Sequence, residues 1–380
     1  IQTSSIQNLS YTYDNIGNVL SINDSENFKI YNMTYDVLNR LIHTQISDLS
    51  SLENMTFTYV YDSIGNLISS ISNDKTINFT YINLTHAPSN ISIEFTDCGI
   101  LDISDTVYNL ETDLSSGGTC FIIGANGITI DGNGHSINYA LVNNGYGIIS
   151  EGYNGLTIKN LTIYNNRTTS QNSSGIYFAN GINFKVSDVN LSVLGRTSPP
   201  DSNNYGIYVY NFSKNIIIDD TMINTSGRGG RAIYMEGDYE ITNITILNTI
   251  IDTYRTKSDG VDLNGLGRLI NNITIFNLIV NTFSSESPGI YIGGSNPSFA
   301  YGGRTNISHV NISVISSTDS CGISFTEVKE NGFISDSTIF SNDKDVCITG
   351  SVTSPKSYFL LNTSYDSEII SNGNLFRQWY

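Results

Sequence analysis

The 380-residue chain carries 18 basic and 35 acidic residues, a formal net charge of −17, which argues against nucleic-acid phosphate or an anionic membrane surface as its main partner. Only 14% of its residues are charged. The polar surface is therefore built mainly from Asn, Ser, Thr and Tyr, a mixture that suits strands and turns and excludes a helical bundle or coiled coil. The length accommodates one elongated domain and a second, smaller one.

No apolar run approaches the roughly 18 residues that cross a bilayer, so this segment has no direct membrane insertion. Residues 1–10 have neither the basic start nor the apolar run of a signal peptide. Because the sequence opens on Ile1 and closes on Trp379 and Tyr380 just after an apparent strand, the expectation is a mature or excised segment of a longer secreted protein.

From about Leu9 to Pro88 a short motif recurs. It reads Tyr11-Thr12-Tyr13-Asp14-Asn15-Ile16-Gly17-Asn18, then Met33-Thr34-Tyr35-Asp36-Val37-Leu38-Asn39-Arg40-Leu41, then Tyr59-Val60-Tyr61-Asp62-Ser63-Ile64-Gly65-Asn66-Leu67, with a weaker copy at Phe79-Thr80-Tyr81. Alternating aromatic residues lead into an Asp-x-x-Gly-Asn turn and out along an apolar strand, which is a hairpin signature. These residues resemble the YD (Rhs) repeat family. In that family many copies close a large β-shell; three or four copies imply instead an open hairpin strip that must lean on a neighbour.

Residues 91–97 read as a linker, and beyond it a longer period takes over. Its marks are Gly175-Ile176-Tyr177-Phe178, Gly206-Ile207-Tyr208-Val209, Ala232-Ile233-Tyr234-Met235, Gly260-Val261-Asp262-Leu263, Gly289-Ile290-Tyr291-Ile292 and Gly322-Ile323-Ser324-Phe325, alternating with strands such as Ile244-Thr245-Ile246-Leu247 and Ile273-Thr274-Ile275-Phe276. Strands repeating about every 23–33 residues without helical periodicity predict a solenoid. The run from Cys120 through Asp131-Gly132-Asn133-Gly134-His135 to Ile137 is similar to the first coils of right-handed parallel β-helix proteins of the pectin-lyase-like superfold. The expected fold is thus all-β: a right-handed parallel β-helix of about nine coils over 98–366, preceded by a small antiparallel β-hairpin region over 1–90 and followed by a C-terminal segment, 367–380. Val107 to Ser116 is expected to form a first cap or coil.

Asn-x-Ser/Thr occurs at Asn8, Asn23, Asn32, Asn54, Asn78, Asn83, Asn90, Asn160, Asn166, Asn172, Asn190, Asn211, Asn224, Asn243, Asn272, Asn306, Asn311 and Asn362. That is about twice the number that random order of this composition gives, and it points to N-linked glycans and an extracellular or cell-surface location. Alternation along the strands predicts that Asn160, Asn190, Asn243, Asn272 and Asn311 form one flank of successive coils. The four cysteines permit three disulfide pairings and show no Cys-x-x-Cys metal spacing. Cys98 with Cys120 and Cys321 with Cys347 are each about one coil apart, and such a bridge would contribute about 3 kcal/mol by loop closure.

The residue between each inward pair points outward, giving the column Tyr177, Tyr208, Tyr234, Asp262, Tyr291, Ser324. The tyrosines stabilise neighbouring strands, form a sugar platform or make partner contacts; the sequence leaves all three open. Catalytic machinery is not expected. Ser258-Asp259-Gly260-Val261-Asp262 faintly resembles the first acidic motif of polygalacturonases, and Asp219-Asp220 supplies an adjacent carboxylate pair of the kind glycoside hydrolysis uses. The Gly-His-Gly and Arg-x-Lys motifs of that family do not follow, and the later histidine is His309 in Ser-His-Val. A lyase-like alternative would use Asp259 and Asp262 with Arg255 and Lys257, drawn from the loop cations Arg228, Arg231, Arg255, Lys257, Arg268 and Arg304. No cofactor or metal is implied; Ca2+ suits the carboxylate content, but no motif supports it.

The sequence reading is therefore a glycosylated cell-surface structural protein that assembles with itself, head to tail, through contacts between the hairpin region and the β-helix. Archaeal surface proteins that combine such modules are the resemblance. The alternative is a β-helix that binds or cleaves acidic polysaccharide.

Overall fold

The computed structural model describes residues 8–72, 75–81, 88–264, 270–283, 285–293, 305–315, 320–326, 332–349, 357–370 and 374–378. No helix occurs among them. The chain divides into two compact units, the first comprising Ile1–Thr96 with Thr106–Asn109 and the second Asp97–Asp105 with Leu110–Tyr380.

The first unit contains a meander of β1 (Leu9–Tyr13), β2 (Val19–Asp24), β3 (Lys29–Tyr35), β4 (Leu41–Asp48), β5 (Glu53–Tyr61), β6 (Leu67–Ser72), β7 (Thr76–Tyr81) and β8 (Pro88–Phe95), each antiparallel to the next. The repeated motif fixes each long hairpin. Asp14 Oδ1 accepts the backbone N–H groups of Ile16 at 3.0 Å and Asn18 at 2.8 Å, while Asn18 Nδ2 donates to Oδ2 at 2.8 Å. Asp62 does the same for Ile64 and Asn66. Gly17 and Gly65 occupy the left-handed region at φ 98° and 96° that this turn demands. The middle copy uses Asn39 (φ 63°) in place of glycine, and Arg40 Nε reaches Asp36 Oδ2 at 2.7 Å in place of the asparagine amide.

The last tyrosine of each motif sits at a shift in strand register. From there Tyr35, Tyr61 and Tyr81 donate their hydroxyls to Val19, Leu41 and Leu67 carbonyls, each at 2.9 Å, tying successive hairpins together. Alternation explains the half-buried aromatic face, yet few of the meander's side chains are fully buried, as expected of a single sheet. The 91–97 stretch differs from the linker reading: residues 91–95 complete β8 and Ile93 is fully buried. An apolar alternation Ile-x-Ile-x-Phe is strand chemistry, whatever the change in repeat period around it.

In the second unit one sheet stacks eleven parallel strands among the described residues, from Gly99–Leu101 through Ile176–Ala179, Ile207–Tyr210, Ile233–Glu236, Val261–Asn264 and Ile290–Gly293 to Glu368–Ile370. All its neighbours pair in parallel, and parallel crossovers of this kind take the right hand. This is a parallel β-helix with two more rungs on that sheet than the nine coils expected. The three-residue rungs at either end are too short to register as coils in the sequence. The C-terminal boundary also moves: Glu368–Ile370 and Asn374–Gln378 extend the two sheets rather than forming a separate tail. Within 107–116, Leu114–Ser115 pairs with Ser136–Asn138 as coil, whereas Thr106–Asn109 clusters with the first unit.

The rest of each coil bends at residues in the left-handed conformation. Two corners recur, one at Asn183, Asn215, Asn243 and Asn272 and the other at Asn160, Asp188, Asp220, Asn248, Asn277, His309, Asp336 and Asn362, all with φ between 45° and 64°. Asn and Asp tolerate this region best after glycine. Inside the coils, Ile176, Ile207, Ile233, Val261, Ile290 and Ile323 form one fully buried column and Phe178, Val209, Met235 and Leu263 another. Glycine precedes five of the six residues of the first column, Ala232 before Ile233 being the exception, and at Gly289 there is no room for a side chain: a Cβ there would lie 2.5 Å from Ile312 Cγ2 and 2.7 Å from the Gly322 carbonyl oxygen. Disulfides join Cys98 to Cys120 and Cys321 to Cys347, each linking adjacent rungs.

Candidate functional site

The outward column of the eleven-stranded sheet places Tyr177, Tyr208, Tyr234, Asp262, Tyr291 and Ser324 on consecutive rungs. The loop residue that enters each strand forms a second column beside it. Backbone bonds Gly147→Ser174, Gly175→Tyr205, Gly206→Arg231 and Ala232→Asp259 align Ser174, Tyr205, Arg231 and Asp259 rung by rung.

The two columns pack against each other. Ring centroids lie 5.1 Å apart for Tyr177–Tyr208, 5.4 Å for Tyr208–Tyr234, 5.0 Å for Tyr205–Tyr208, 4.7 Å for Tyr205–Tyr234 and 5.2 Å for Tyr146–Tyr177. Tyr177 and Tyr234 are consequently only 9% and 6% exposed. They present almost no surface to a partner, which of the three readings left open by the sequence favours strand stabilisation at these two positions; Tyr208 and Tyr291 are half-buried. The signal that was missed lies in the loops, where Tyr146 and Tyr205 supply the covering rings.

Beneath Tyr205 lies a buried charge cluster. Arg231 Nε contacts Asp259 Oδ2 at 3.1 Å and Asp262 Oδ2 at 2.5 Å, and its guanidinium sits 4.5 Å from the Tyr234 ring centroid. Burial raises the pKa of Asp262 well above the usual carboxylate value, and the adjacent Asp259 charge adds to the rise; burial raises Asp259 as well, with Arg231 pulling both back. Burial opposes the charge on Arg231, but Asp262 and Asp259 more than offset it. Asp262 Oδ1 is buried without a hydrogen-bond partner.

Of the alternative catalytic set, then, Asp259 and Asp262 come together while Arg255 and Lys257 do not join them. Arg255 lines a separate cleft with Tyr254 and Phe283, and Lys257 lies 3.9 Å from Glu286. Arg231 holds the pair instead. Arg228 binds Asp201 at 2.5 Å; Arg268 and Arg304 lie outside the described residues. Asp219 accepts the Asn248 amide at 2.9 Å, and its neighbour Asp220 turns the corner beside Asp188, whose charge raises its pKa. Asp131 is held by Lys159 at 2.8 Å and Asn160 at 3.0 Å, so the Asp-Gly-Asn-Gly-His turn is a corner. Among the described residues no group of three His, Cys, Asp or Glu could hold a metal.

Above the tyrosines opens a cleft of about 290 Å³ lined by Tyr146, Asn172, Ser174, Asn203, Tyr205, Tyr208 and Glu236. Tyr208 donates to Glu236 at 2.7 Å and Tyr234 donates to the same carboxylate. Burial pushes the Tyr205 phenol up to about 12, so it stays a neutral donor at physiological pH. Aromatic edges, amides, a hydroxyl and a carboxylate around one small cleft can bind a polyhydroxylated ligand.

A different face of the coils carries exposed apolar columns. Met222, Ile250 and Ile279 stack on successive rungs at 42%, 37% and 38% exposure. Tyr254 and Phe283 stack at 4.9 Å and 9° and continue to Ile315, all exposed. Between the two runs the polar column containing Asn281 Nδ2→Asp252 Oδ1 at 2.8 Å. On the sheet before the corner, Phe333, Phe359 and Phe376 stack at 5.0 and 5.2 Å.

No protein-family model matches the chain, and no curated protein does. Among solved structures it is similar to PfbA, a surface adhesin of Streptococcus pneumoniae (15% identity, TM-score 0.47, covering 77% of this chain and 82% of that one). It is similar also to a polygalacturonase from Erwinia carotovora ssp. carotovora (16%, 0.43, 74% and 86%). A third is a double mutant of the periplasmic alginate epimerase AlgG (11%, 0.37, 77% and 86%). At these scores the likeness says nothing of activity.

Proposed function

We propose that this is an extracellular, N-glycosylated structural protein of the cell surface that associates with further copies of itself. The observation that carries the reading is the pair of exposed apolar columns, Met222–Ile250–Ile279 and Tyr254–Phe283–Ile315, on one face of a protein otherwise short of exposed charge. Isolated apolar side chains are ordinary on a surface; aligned columns of them mark an interaction face. The half-buried aromatic face of the hairpin strip, whose Asp turns support the YD-like reading, is a second surface of the same kind. Two disulfides fit an oxidising compartment. Contacts between unlike faces propagate into a filament, sheath or layer when the rotation between copies does not close into a ring, and that open assembly is the one proposed here.

The test is the double variant Ile250→Lys, Ile279→Lys, examined by light scattering and negative-stain microscopy. Dispersal of assemblies with an unchanged melting temperature supports the reading; assemblies indistinguishable from the parent refute this face.

The tyrosine cleft favours a second reading, saccharide binding. Glu236 is accessible from the cleft, whereas Asp259 and Asp262 are buried and ion-paired, which favours binding over cleavage. Calorimetric titration with neutral and uronate oligosaccharides tests it: Tyr205→Ala should abolish any binding, and no heat with either ligand class would discard it.

A further inference from the structure

The structure separates the sequons into two kinds, and the distinction rests on the glycoprotein reading above. At one corner of the coil, Asn272 Nδ2 donates to Asn243 Oδ1 at 3.0 Å, Asn243 Nδ2 to Asn215 Oδ1 at 2.8 Å, and Asn215 Nδ2 to Asn183 Oδ1 at 2.8 Å. Asn243 thus uses both ends of its amide within a four-rung ladder. At the other corner Asn160 donates to Asp131 at 3.0 Å and Asn362 to Asp336 at 2.9 Å. All four of these sequon asparagines lie in the left-handed region, with φ between 48° and 58°.

The Asn-Ile-Thr sequence at 243 and 272 has a structural origin. Asn turns the corner, the next Ile points into the core, where Ile244 and Ile273 are 0% and 2% exposed, and Thr points out. A coil built this way writes a sequon whether or not a glycan is attached, which accounts for part of the sequon excess. Corner side chains on neighbouring rungs are about 4.8 Å apart, so a sugar on Asn243 Nδ2 would crowd both Asn215 and Asn272. A chain modified there before folding must close its coils around the sugar.

Asn190, Asn306 and Asn311 differ in kind. They are exposed on strand faces, and no hydrogen bond among the described residues takes up their amides. Asn190 and Asn311 occupy the same outward column as Met222, Ile250 and Ile279, one rung before and one rung after them.

We infer that Asn160, Asn243, Asn272 and Asn362 are ladder residues left unmodified in the folded protein, and that Asn190, Asn306 and Asn311 are glycan acceptors, Asn190 and Asn311 bracketing the apolar face. The full chain, secreted from a glycosylating host, is treated with an amidase that converts each glycosylated Asn to Asp in heavy-oxygen water, and site occupancy is read by peptide mass spectrometry. Occupancy at least tenfold lower at the four ladder positions than at Asn190, Asn306 and Asn311 is expected; equal occupancy overturns the inference while leaving the glycoprotein reading intact. Modification at no position overturns the acceptor assignment and the glycoprotein reading together. The ladder role is read separately, from unglycosylated protein: Asn243→Ala should lower the melting temperature by about 5 °C and Asn311→Ala should leave it unchanged, equal effects refuting the distinction.

Discussion

Replacing Arg231 with methionine keeps most of the side-chain volume under Tyr205 and Tyr234 and removes the cation between two carboxylates whose side chains are 10% and 3% exposed. Removing one partner of a buried ion cluster leaves the others uncompensated, a loss of about 3–5 kcal/mol. In a unit of this size that is a fall in melting temperature of about 10 °C at pH 7. The pH dependence has a definite sign. Asp262 and Asp259 titrate above their ordinary value in the folded protein, so their contribution is fully present below the unfolded carboxylate pKa, about 4, and is lost as pH rises through the folded value. Without Arg231 the folded value rises further. The gap between Arg231→Met and the parent, measured by circular dichroism melts from pH 4.5 to 7.5, should therefore narrow on acidification. The triple variant that adds Asp259→Asn and Asp262→Asn should regain most of the loss. A variant within 1 kcal/mol of the parent at pH 7, or no recovery in the triple variant, would refute the assignment of Arg231 as the charge that holds this pair.

Other substitutions probe different parts of the fold. Gly289→Ala should destabilise the β-helix by about 1–3 kcal/mol through overpacking against Ile312, seen as an earlier denaturant midpoint; an unchanged midpoint would contradict the packing described. The hairpin turns respond to pH in the opposite sense from the Arg231 cluster. Hydrogen bonds lower the pKa of Asp36, chiefly from the Arg40 backbone, and those of Asp14 and Asp62 fall despite the opposing effect of desolvation. Their contribution is present above the unfolded pKa near 4 and lost as pH falls through the folded values. Amide exchange in β1 to β6 should thus accelerate below pH 4 beyond its intrinsic pH dependence, and Asp62→Asn should bring that acceleration to neutral pH in its own hairpin. Cys98→Ser with Cys120→Ser should cost about 3 kcal/mol by opening a 22-residue separation; equal unfolding midpoints with and without the bridge would contradict it.

How much of this was legible in the sequence follows from which interactions are local. The turns were readable because Asp14, Gly17 and Asn18 bond one another within five residues. The inward columns were readable because alternation alone decides which side of a strand Ile207 and Val209 face. Which outward residues end up covered depends on loops from other coils, and no spacing reveals that Tyr205 closes over Tyr208 and Tyr234. The same holds for Arg231, one of six loop cations in the sequence and distinguished from Arg255 only when its rung stacks on Asp259. The expected single flank of asparagines split for a related reason. Left-handed corners insert a residue that faces neither in nor out, so strict alternation across Asn160 or Asn243 assigns the wrong column, and Asn190 and Asn311 part company with them.

Self-association is the central claim, and negative-stain electron microscopy of the purified protein at neutral pH, with no added ligand, tests it most directly. The account predicts regular filaments, tubes or sheets that disappear in the Ile250→Lys, Ile279→Lys variant. Dispersed single particles of the parent at high concentration would contradict it.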